Sequence, residues 1–417
     1  MRNDIRLSIQ DIQVKQENAL DLFSSGIKSR ETKKIMERNL RRFLVEACAD
    51  LLQSDFRQRA QQFVNLARED QEKATQIILA YVRRLKERTL LEKTDRFYLN
   101  PSTVPNKIKP IKKLLDMNGL GLGWKRIYAT YPEPDNIHQG RGYTREEIKK
   151  MLEHSSKIDT EFVILASSSG GLRVGAWENQ TWGNIFPIYK IGREYKIELK
   201  NDEKALVVCA GMIIYRGTPE EYVALISTEA WNKLEEYRKL WVKKMKRLPI
   251  ESDPLILERF SKPKPLSSTA VRRRIEDLLV KSGSRTPLTE GRRRHSVPAT
   301  HGFRRYWNKI MMNVQRKRGT LSALVIKERL MGHDGLVKTD KNYFWTDILD
   351  LIPDYLEALP ELMISDEARL QKELGDEKLE RGLLAQANAE KETALQRLKE
   401  LEAKVERMAK YQINQSS

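Results

Sequence analysis

A stretch that begins at His301 and ends at Tyr343 holds most of the side chains that could do chemistry. It includes Arg304 and His333, in a chain that has five histidines. Arg173 lies upstream in a glycine-rich segment. A guanidinium binds phosphate through paired hydrogen bonds and keeps its charge, a histidine moves a proton near neutrality, and a tyrosine hydroxyl can act as a nucleophile. Two arginines, two histidines and a tyrosine are the groups needed to break a phosphodiester through a tyrosyl phosphate.

Four short motifs occur in an order that resembles the tyrosine recombinase (phage integrase) family. The chain reads Gly-Leu-Arg-Val-Gly at 171–175, His-Gly-Phe-Arg at 301–304 and Leu-Met-Gly-His-Asp-Gly at 330–335, and a tyrosine follows at 343. HxxR and Gly-His pairs occur by chance in many proteins, so it is the shared order and spacing that carries the resemblance. It extends over roughly residues 27 to 365. The segment 214–222, Ile-Tyr-Arg-Gly-Thr-Pro-Glu-Glu-Tyr, also resembles integrases of archaeal mobile elements.

The resemblance implies a role for each of these side chains. Arg173 and Arg304 would bind the scissile phosphate, and His333 would form a hydrogen bond to it. His301 would assist proton transfer from the nucleophile. Tyr343 would attack the phosphorus, which leaves a 3′-phosphotyrosyl link and a free 5′-hydroxyl. The covalent link stores the energy of the broken bond, so no cofactor and no metal is required, and the expected activity is site-specific DNA recombination.

Two positions depart from the family pattern. The family uses a lysine on a β-hairpin as the general acid, but the residue before the hairpin glycine is Arg216, and arginine is a poor proton donor. Lys204, next to an earlier strand, is the other candidate for this role. The family also has Glu or Asp three residues after its first arginine, where this chain has Ala176, and Glu178 is the carboxylate that could replace it.

The fold class predicted is mainly α with a small β-sheet in the catalytic region (α+β). Thr144 and Glu147 form a capping box that starts a helix, and the apolar residues 162–166 predict a buried helix that ends at Gly170 and Gly171. Further helices are predicted from Thr228, Ser267 and His301, and at 323–330. The expected strands are 185–189, 195–199, 205–208, 212–215 and 222–227.

The first part of the chain reads as a helical region that ends in a Pro- and Gly-rich linker at 131–142. Amphipathic runs occupy 32–52, 56–66 and 74–90, and another helix is expected at 106–118. The resemblance identifies this region with the core-binding domain that grips DNA. The candidate contacts to the DNA backbone are Lys107, Lys109, Lys112, Lys113 and, from the later region, Arg305. A solvated helix face is the other interpretation of the lysines.

Composition indicates the kind of partner. The formal net charge of +18 favours a polyanion, because lysine and arginine contacts to phosphates release counterions, although a generally basic, solvated surface would give the same total. Double-stranded DNA is the predicted partner. Cys48 and Cys209 are predicted to be buried thiols rather than a disulfide or metal site. Because the chain has no long apolar run and no signal-peptide pattern, the expected location is the cytoplasm, with the nucleoid.

The last segment, 366–417, carries apolar residues at gaps of three and four over 384–408. The spacing predicts a coiled coil that joins protomers, or a single helix packed on its own domain, and family analogy implies a tetramer on DNA. The predicted domains are 1–142, 143–365 and 366–417. Two alternatives stay open: a type IB topoisomerase or telomere resolvase, which shares the chemistry, and a DNA-binding protein that has lost cleavage.

Overall fold

The structure is a computed structural model. It describes residues 18–134, 140–192, 194–199, 205–285, 288, 295–318, 327–332 and 348–370, and the single residues and short stretch 374, 377, 381, 388, 391–399 and 401. The described residues up to 134 form one compact unit, and those from 140 onward, Leu288 excepted, form a second. Each unit has its own hydrophobic core.

The first unit is all helical, as predicted. Side-chain caps begin four of its helices: the carboxylate, amide or hydroxyl oxygens of Asn18, Ser29, Asp55 and Asp70 accept from backbone N–H groups. The last predicted helix starts two residues early, at Val104. The helices are Ala19–Ser25, Arg30–Arg41, Phe56–Glu69, Gln71–Glu87, Val104–Met117 and Trp124–Ala129, with a π-helical segment Arg42–Ala47 and a 3₁₀ turn Pro101–Thr103.

A four-stranded antiparallel sheet lies in the second unit, in the order β2-β1-β3-β4. Its strands are β1 (Ile185–Ile191), β2 (Glu194–Lys196), β3 (Leu206–Ile214) and β4 (Tyr222–Ile226). The prediction of separate strands at 205–208 and 212–215 is wrong, because β3 runs through both. In the middle of β3, the Phe186 ring packs directly on Gly211, since a Cβ there would lie 2.3 Å from Cζ of that ring.

Helices surround the sheet in the second unit. The helix Ile158–Gly170 is buried along most of its length and contacts β4 as well as four other helices, which confirms the predicted buried helix. The other helices are Arg145–Glu153, Thr228–Met245, Ser268–Lys281, His301–Arg318 and Ile352–Leu362. Short 3₁₀ turns are Val174–Trp177, Trp182–Asn184 and Ile348–Leu351, and β5 (Leu257–Arg259) pairs with β6 (Lys262–Pro265).

The helix caps and the thiols follow the sequence. The capping box of Thr144 and Glu147 is formed, and Ser365 caps the helical residues that follow it through a bond from the Ala368 N–H. Cys48 and Cys209 are buried, and burial raises the pKa of Cys48 to about 12. None of the helices within the described ranges is long and apolar enough to cross a membrane.

Most of the predicted coiled-coil segment lies outside the described residues. Residues 391–399 and 401 are helical. Leu395, Leu398 and Leu401 are exposed on this stretch. The coiled coil itself stays a prediction, because the structure contains a single chain.

We expect Gly171→Ala to lower the free energy of unfolding by about 3 kcal/mol. Gly171 has a φ of +61° and ends the buried helix, and a Cβ there would lie 2.8 Å from Cδ2 of the Trp307 ring. A left-handed alanine costs roughly 1–2 kcal/mol, and overpacking a core adds roughly 1–3 kcal/mol. Gly192→Ala is the matched control, because its φ is +60° and, its chain neighbours apart, no described atom lies within 4 Å of its Cβ position. Denaturant unfolding followed by tryptophan fluorescence should give a clearly larger loss for Gly171→Ala, and equal losses would contradict the packing argument.

Candidate active site

Arg304 is a buried cation that joins three distant segments of the second unit. It lies in the first turn of the helix His301–Arg318, and 7% of the residue is exposed. Its Nη1 donates to the Gly171 carbonyl and its Nη2 to the Met331 carbonyl, each at 2.7 Å. A buried charge needs such partners, because desolvation without them is costly. The two carbonyls therefore fix the plane of the guanidinium.

Arg173 brings a second positive charge to the same place. It follows the left-handed turn at Gly171 and is half-buried. Burial and, after it, the charge of Arg173 lower the pKa of Arg304. Arg173 makes no hydrogen bond to another side chain or carbonyl within the described ranges. Two like charges held close together repel each other. An anion bound between the two guanidinium groups would attract both and offset this repulsion.

His301 is the first residue of the same helix as Arg304. The helix N-terminus carries unsatisfied N–H groups and the positive end of the helix dipole, which also favour an anion. Partial burial and the charges of Arg304, Arg305 and Arg173 lower the pKa of His301. The imidazole is therefore neutral at pH 7 in the free protein, and a neutral imidazole can accept a proton.

We expect the His301 ring to titrate below the ordinary histidine value of about 6.5, and we expect Arg173→Ala to raise that midpoint. The reason is that the variant removes one of the positive charges that disfavour the imidazolium. NMR spectra of ¹³C-labelled histidines recorded against pH would measure both, with the His301 signal assigned by its loss in His301→Gln. An unchanged midpoint in Arg173→Ala would mean that the two side chains do not interact.

Two of the predicted catalytic residues, His333 and Tyr343, lie outside the described residues, and so does Lys204. The described chain reaches Met331 and Gly332, immediately before His333. Because Arg304 binds the Met331 carbonyl, the backbone that leads to His333 is attached to the arginine pair. The structure thus brings together Arg173, Arg304, His301 and the residues before His333.

Two tyrosines of the β3–β4 hairpin, Tyr215 and Tyr222, also lie close to the arginine pair, and the sequence motifs assign them no role. The charges of Arg173 and Arg304 act on both Tyr215 and Tyr222, although burial is the larger effect and raises both pKa values. The Tyr222 hydroxyl oxygen is buried and has no partner in hydrogen-bond geometry among the described residues. The available signal was the hairpin itself, since Tyr222 pairs directly with Ile214 across the turn at 217–221.

Arg216 and Glu178 are placed less favourably for the roles expected of them. Arg216 is exposed, and its Nη1 donates to the Gly183 carbonyl and to Oδ1 of Asn184, each at 3.1 Å. Glu178 accepts from the Ser268 hydroxyl at 3.1 Å. No hydrogen bond or ion pair between described atoms joins Glu178 to Arg173, and Ala176 is buried. The carboxylate that the family places near its first arginine thus has no replacement here in Glu178.

The candidate DNA-backbone contacts do not form one free row. Lys107 donates to Oδ1 of Asn39 at 2.9 Å, and Lys112 lies 5.5 Å from the ring centres of Trp124 and Tyr128. The remaining lysines, Lys109 and Lys113, are exposed and half-buried respectively, and Arg305 in the second unit donates to the Gly140 carbonyl.

Within the described ranges, no group of three or more His, Cys, Asp or Glu side chains could hold a metal.

Comparison with known proteins finds likeness in structure only. No protein-family model and no curated protein sequence matches the chain. XerA recombinase is 16% identical over 82% of this chain and 96% of its own, with a TM-score of 0.32. A lambda integrase dimer bound to a COC′ core site is 14% identical over 79% of this chain and 95% of its own, with a TM-score of 0.43. The Tn1549 transposon integrase in complex with transposon right-end DNA is 12% identical over 81% of this chain and 98% of its own, with a TM-score of 0.42. The mainly helical fold with a small antiparallel sheet confirms the predicted fold class.

Proposed function

We propose that this protein is a site-specific DNA recombinase, an integrase of a mobile genetic element, that cleaves and rejoins DNA through a phosphotyrosine. The observation that carries the proposal is that the positive charges of Arg304 and Arg173 lie close together beside the N-terminus of the His301–Arg318 helix. This arrangement suits a phosphate group by charge and by donor geometry. The motif order in the sequence supports the proposal independently, whereas the low TM-scores contribute nothing to it.

The proposed reaction exchanges one phosphate ester bond for another, takes one proton from the attacking oxygen and gives one proton to the leaving oxygen. Neutral His301 takes the proton of the Tyr343 hydroxyl, whose oxygen attacks the phosphorus. The bond from phosphorus to the 5′ oxygen breaks, and that oxygen takes a proton from solvent water and leaves as a hydroxyl. Arg173, Arg304 and His333 would stabilise the charge that develops on the non-bridging oxygens. Arg216 would stabilise the leaving oxygen by charge alone, because its guanidinium is a poor acid.

DNA is the proposed partner, in the cytoplasm and at the nucleoid. The excess of basic residues supports this, since the segment from Val271 to Arg318 holds fourteen basic and three acidic residues and includes the arginine of the pocket. The helical region 1–142 would act as the core-binding domain and 143–365 as the catalytic domain. Exchange between two duplexes would need a tetramer on DNA, and the helix within 366–417 would join protomers as a coiled coil.

A nicked suicide substrate tests the proposal. When the short strand beyond the cleavage site dissociates, religation fails and the covalent intermediate accumulates. We expect wild-type protein to form an adduct that survives denaturation. Mass spectrometry should locate the attachment of the DNA 3′ end at Tyr343. The absence of any adduct across the element's own attachment sites would reject the proposal.

One observation favours a second candidate, a DNA-binding protein with impaired cleavage. Glu178 does not support Arg173, and Arg216 donates to Gly183 and Asn184, so two parts of the family's machinery are altered. Binding without adduct formation would identify this case. A type IB topoisomerase or telomere resolvase would form the adduct but would not exchange strands between two duplexes.

A further inference from the structure

We propose that Tyr222 donates a hydrogen bond to a non-bridging oxygen of the phosphate bound by Arg173 and Arg304. This inference rests on the proposed function for the identity of the substrate, but the anion site itself does not depend on cleavage. It adds to the pocket a residue that stands far from the four motifs in sequence.

The Tyr222 hydroxyl lacks an acceptor for its hydrogen within the described ranges. It is buried, although Arg304 is close enough to donate to its oxygen. A buried donor without an acceptor is costly. The guanidinium of Arg304 lies beside it. A guanidinium has donors only, so it can never accept the phenolic hydrogen. What this hydroxyl needs is an acceptor at a place where two cations already favour negative charge.

The ring that carries the hydroxyl is held in place. Gly332 has a φ of +62°, and a Cβ there would lie 2.4 Å from Cδ1 of Tyr222, so the ring packs directly on the Gly332 backbone. On the hairpin, Tyr222 is the first residue of β4 and pairs with Ile214. A donor fixed in this way needs no reorganisation when the phosphate binds, which is the condition for strong stabilisation of developing charge.

The hydroxyl also carries its proton under ordinary conditions. Burial raises the pKa of Tyr222, and the charges of Arg304 and Arg173 offset only part of this rise. At neutral pH the group is therefore a donor and does not repel a phosphate.

The first experiment is single-turnover cleavage of the nicked substrate by Tyr222→Phe, which keeps the ring and removes the hydroxyl. We expect the rate to fall about 100-fold, the usual effect of losing one donor to a developing oxyanion. The Kd for DNA should change little, because many other backbone phosphates would contribute to binding. Tyr306→Phe is the matched control, because that buried hydroxyl already donates to the Glu361 carbonyl at 2.8 Å. It should lose some stability and keep its cleavage rate. A Tyr222→Phe rate equal to that of wild type would overturn the proposal.

A second experiment separates a contact with the phosphate from a packing effect. Methylphosphonate replaces one non-bridging oxygen of the scissile phosphate by a methyl group, which accepts no hydrogen bond. For the diastereomer that lacks the oxygen bound by Tyr222, we expect the wild-type to Tyr222→Phe rate ratio to shrink from about 100 to near 1. A ratio that stays the same for both diastereomers would show that Tyr222 acts by packing alone and would overturn the proposal.

A third experiment distinguishes failure of this inference from failure of the proposed function. If wild-type protein forms no adduct, cleavage cannot test Tyr222, and stabilisation by inorganic phosphate decides instead. Thermal unfolding is followed against phosphate concentration, with chloride at matched ionic strength. We expect Tyr222→Phe to need several-fold more phosphate than wild type and Tyr306→Phe for the same rise in Tm. Equal phosphate dependence in all three proteins would overturn the assignment.

Discussion

Tyr343→Phe is expected to abolish the covalent protein–DNA adduct and to leave the affinity for DNA unchanged. The substitution removes only the hydroxyl oxygen that would attack the phosphorus, and a phenyl ring has no nucleophile to replace it. We expect adduct formation to fall by more than about 10⁴-fold, the scale seen when a covalent nucleophile is removed. Denaturing gels of the nicked-substrate reaction measure the adduct, and gel-shift titration measures binding.

The other tyrosines of the second unit provide the controls. Tyr306 and Tyr355 are buried, and their hydroxyls donate to the carbonyls of Glu361 and Ser169. Neither hydroxyl can reach a substrate without breaking that bond, so Phe at either position should leave adduct formation intact. Tyr215 and Tyr222 lie near the arginine pair, so they are the tyrosines that could replace Tyr343 as the nucleophile. An adduct mapped to one of them, or one that persists in Tyr343→Phe, would contradict the assignment.

Arg304→Lys should lower the rate of adduct formation about 1,000-fold, the upper range for removing an oxyanion donor. Lysine keeps the positive charge but offers a point charge in place of a planar fork. It cannot bind the Gly171 and Met331 carbonyls and also present a second donor edge to a phosphate. Because the two carbonyls would lose charge-assisted bonds worth roughly 1.5–3 kcal/mol each, we also expect the free energy of unfolding to fall.

Arg274→Lys separates the catalytic effect from the structural one. Arg274 is mostly buried and forms an ion pair with Asp159 at 2.8 Å in the same unit. Its replacement should lower stability in a similar way without changing the cleavage rate, measured as single-turnover adduct formation well below the Tm of both variants. If Arg304→Lys cleaves as fast as Arg274→Lys, Arg304 has no part in the chemistry and serves only to join the segments.

The sequence was most informative where local chemistry determines local structure. The capping box at Thr144, the end of the buried helix at Gly170 and Gly171 and the helix start at His301 were all predicted, because each depends on neighbouring residues. The strand β3 was divided wrongly, since the small residues 209–211 resemble a break unless the Phe186 ring that covers Gly211 is known. That ring comes from another strand, and spacing along one segment cannot reveal it.

The same limit explains what was missed in the pocket. Arg173 and Arg304 could be found from motifs, but the carbonyl partners of Arg304 and the position of Tyr222 depend on tertiary packing. The expectation that Glu178 would support Arg173 came from proximity in sequence, whereas its carboxylate reaches Ser268 instead. Lys107 and Lys112 were predicted to contact the DNA backbone, with a solvated helix face as the alternative, and both have partners within the first unit.

The way in which Arg304 is bound would prevent an incompletely folded chain from cleaving DNA. Its two carbonyl partners stand 133 residues before it and 27 residues after it, so the guanidinium acquires its orientation only when those segments have come together. A nascent or partly denatured chain keeps its basic segments and, under the proposed function, would still bind DNA through them. Such a chain has no assembled phosphate site, and the proposed ability to break a strand would be withheld until folding is finished.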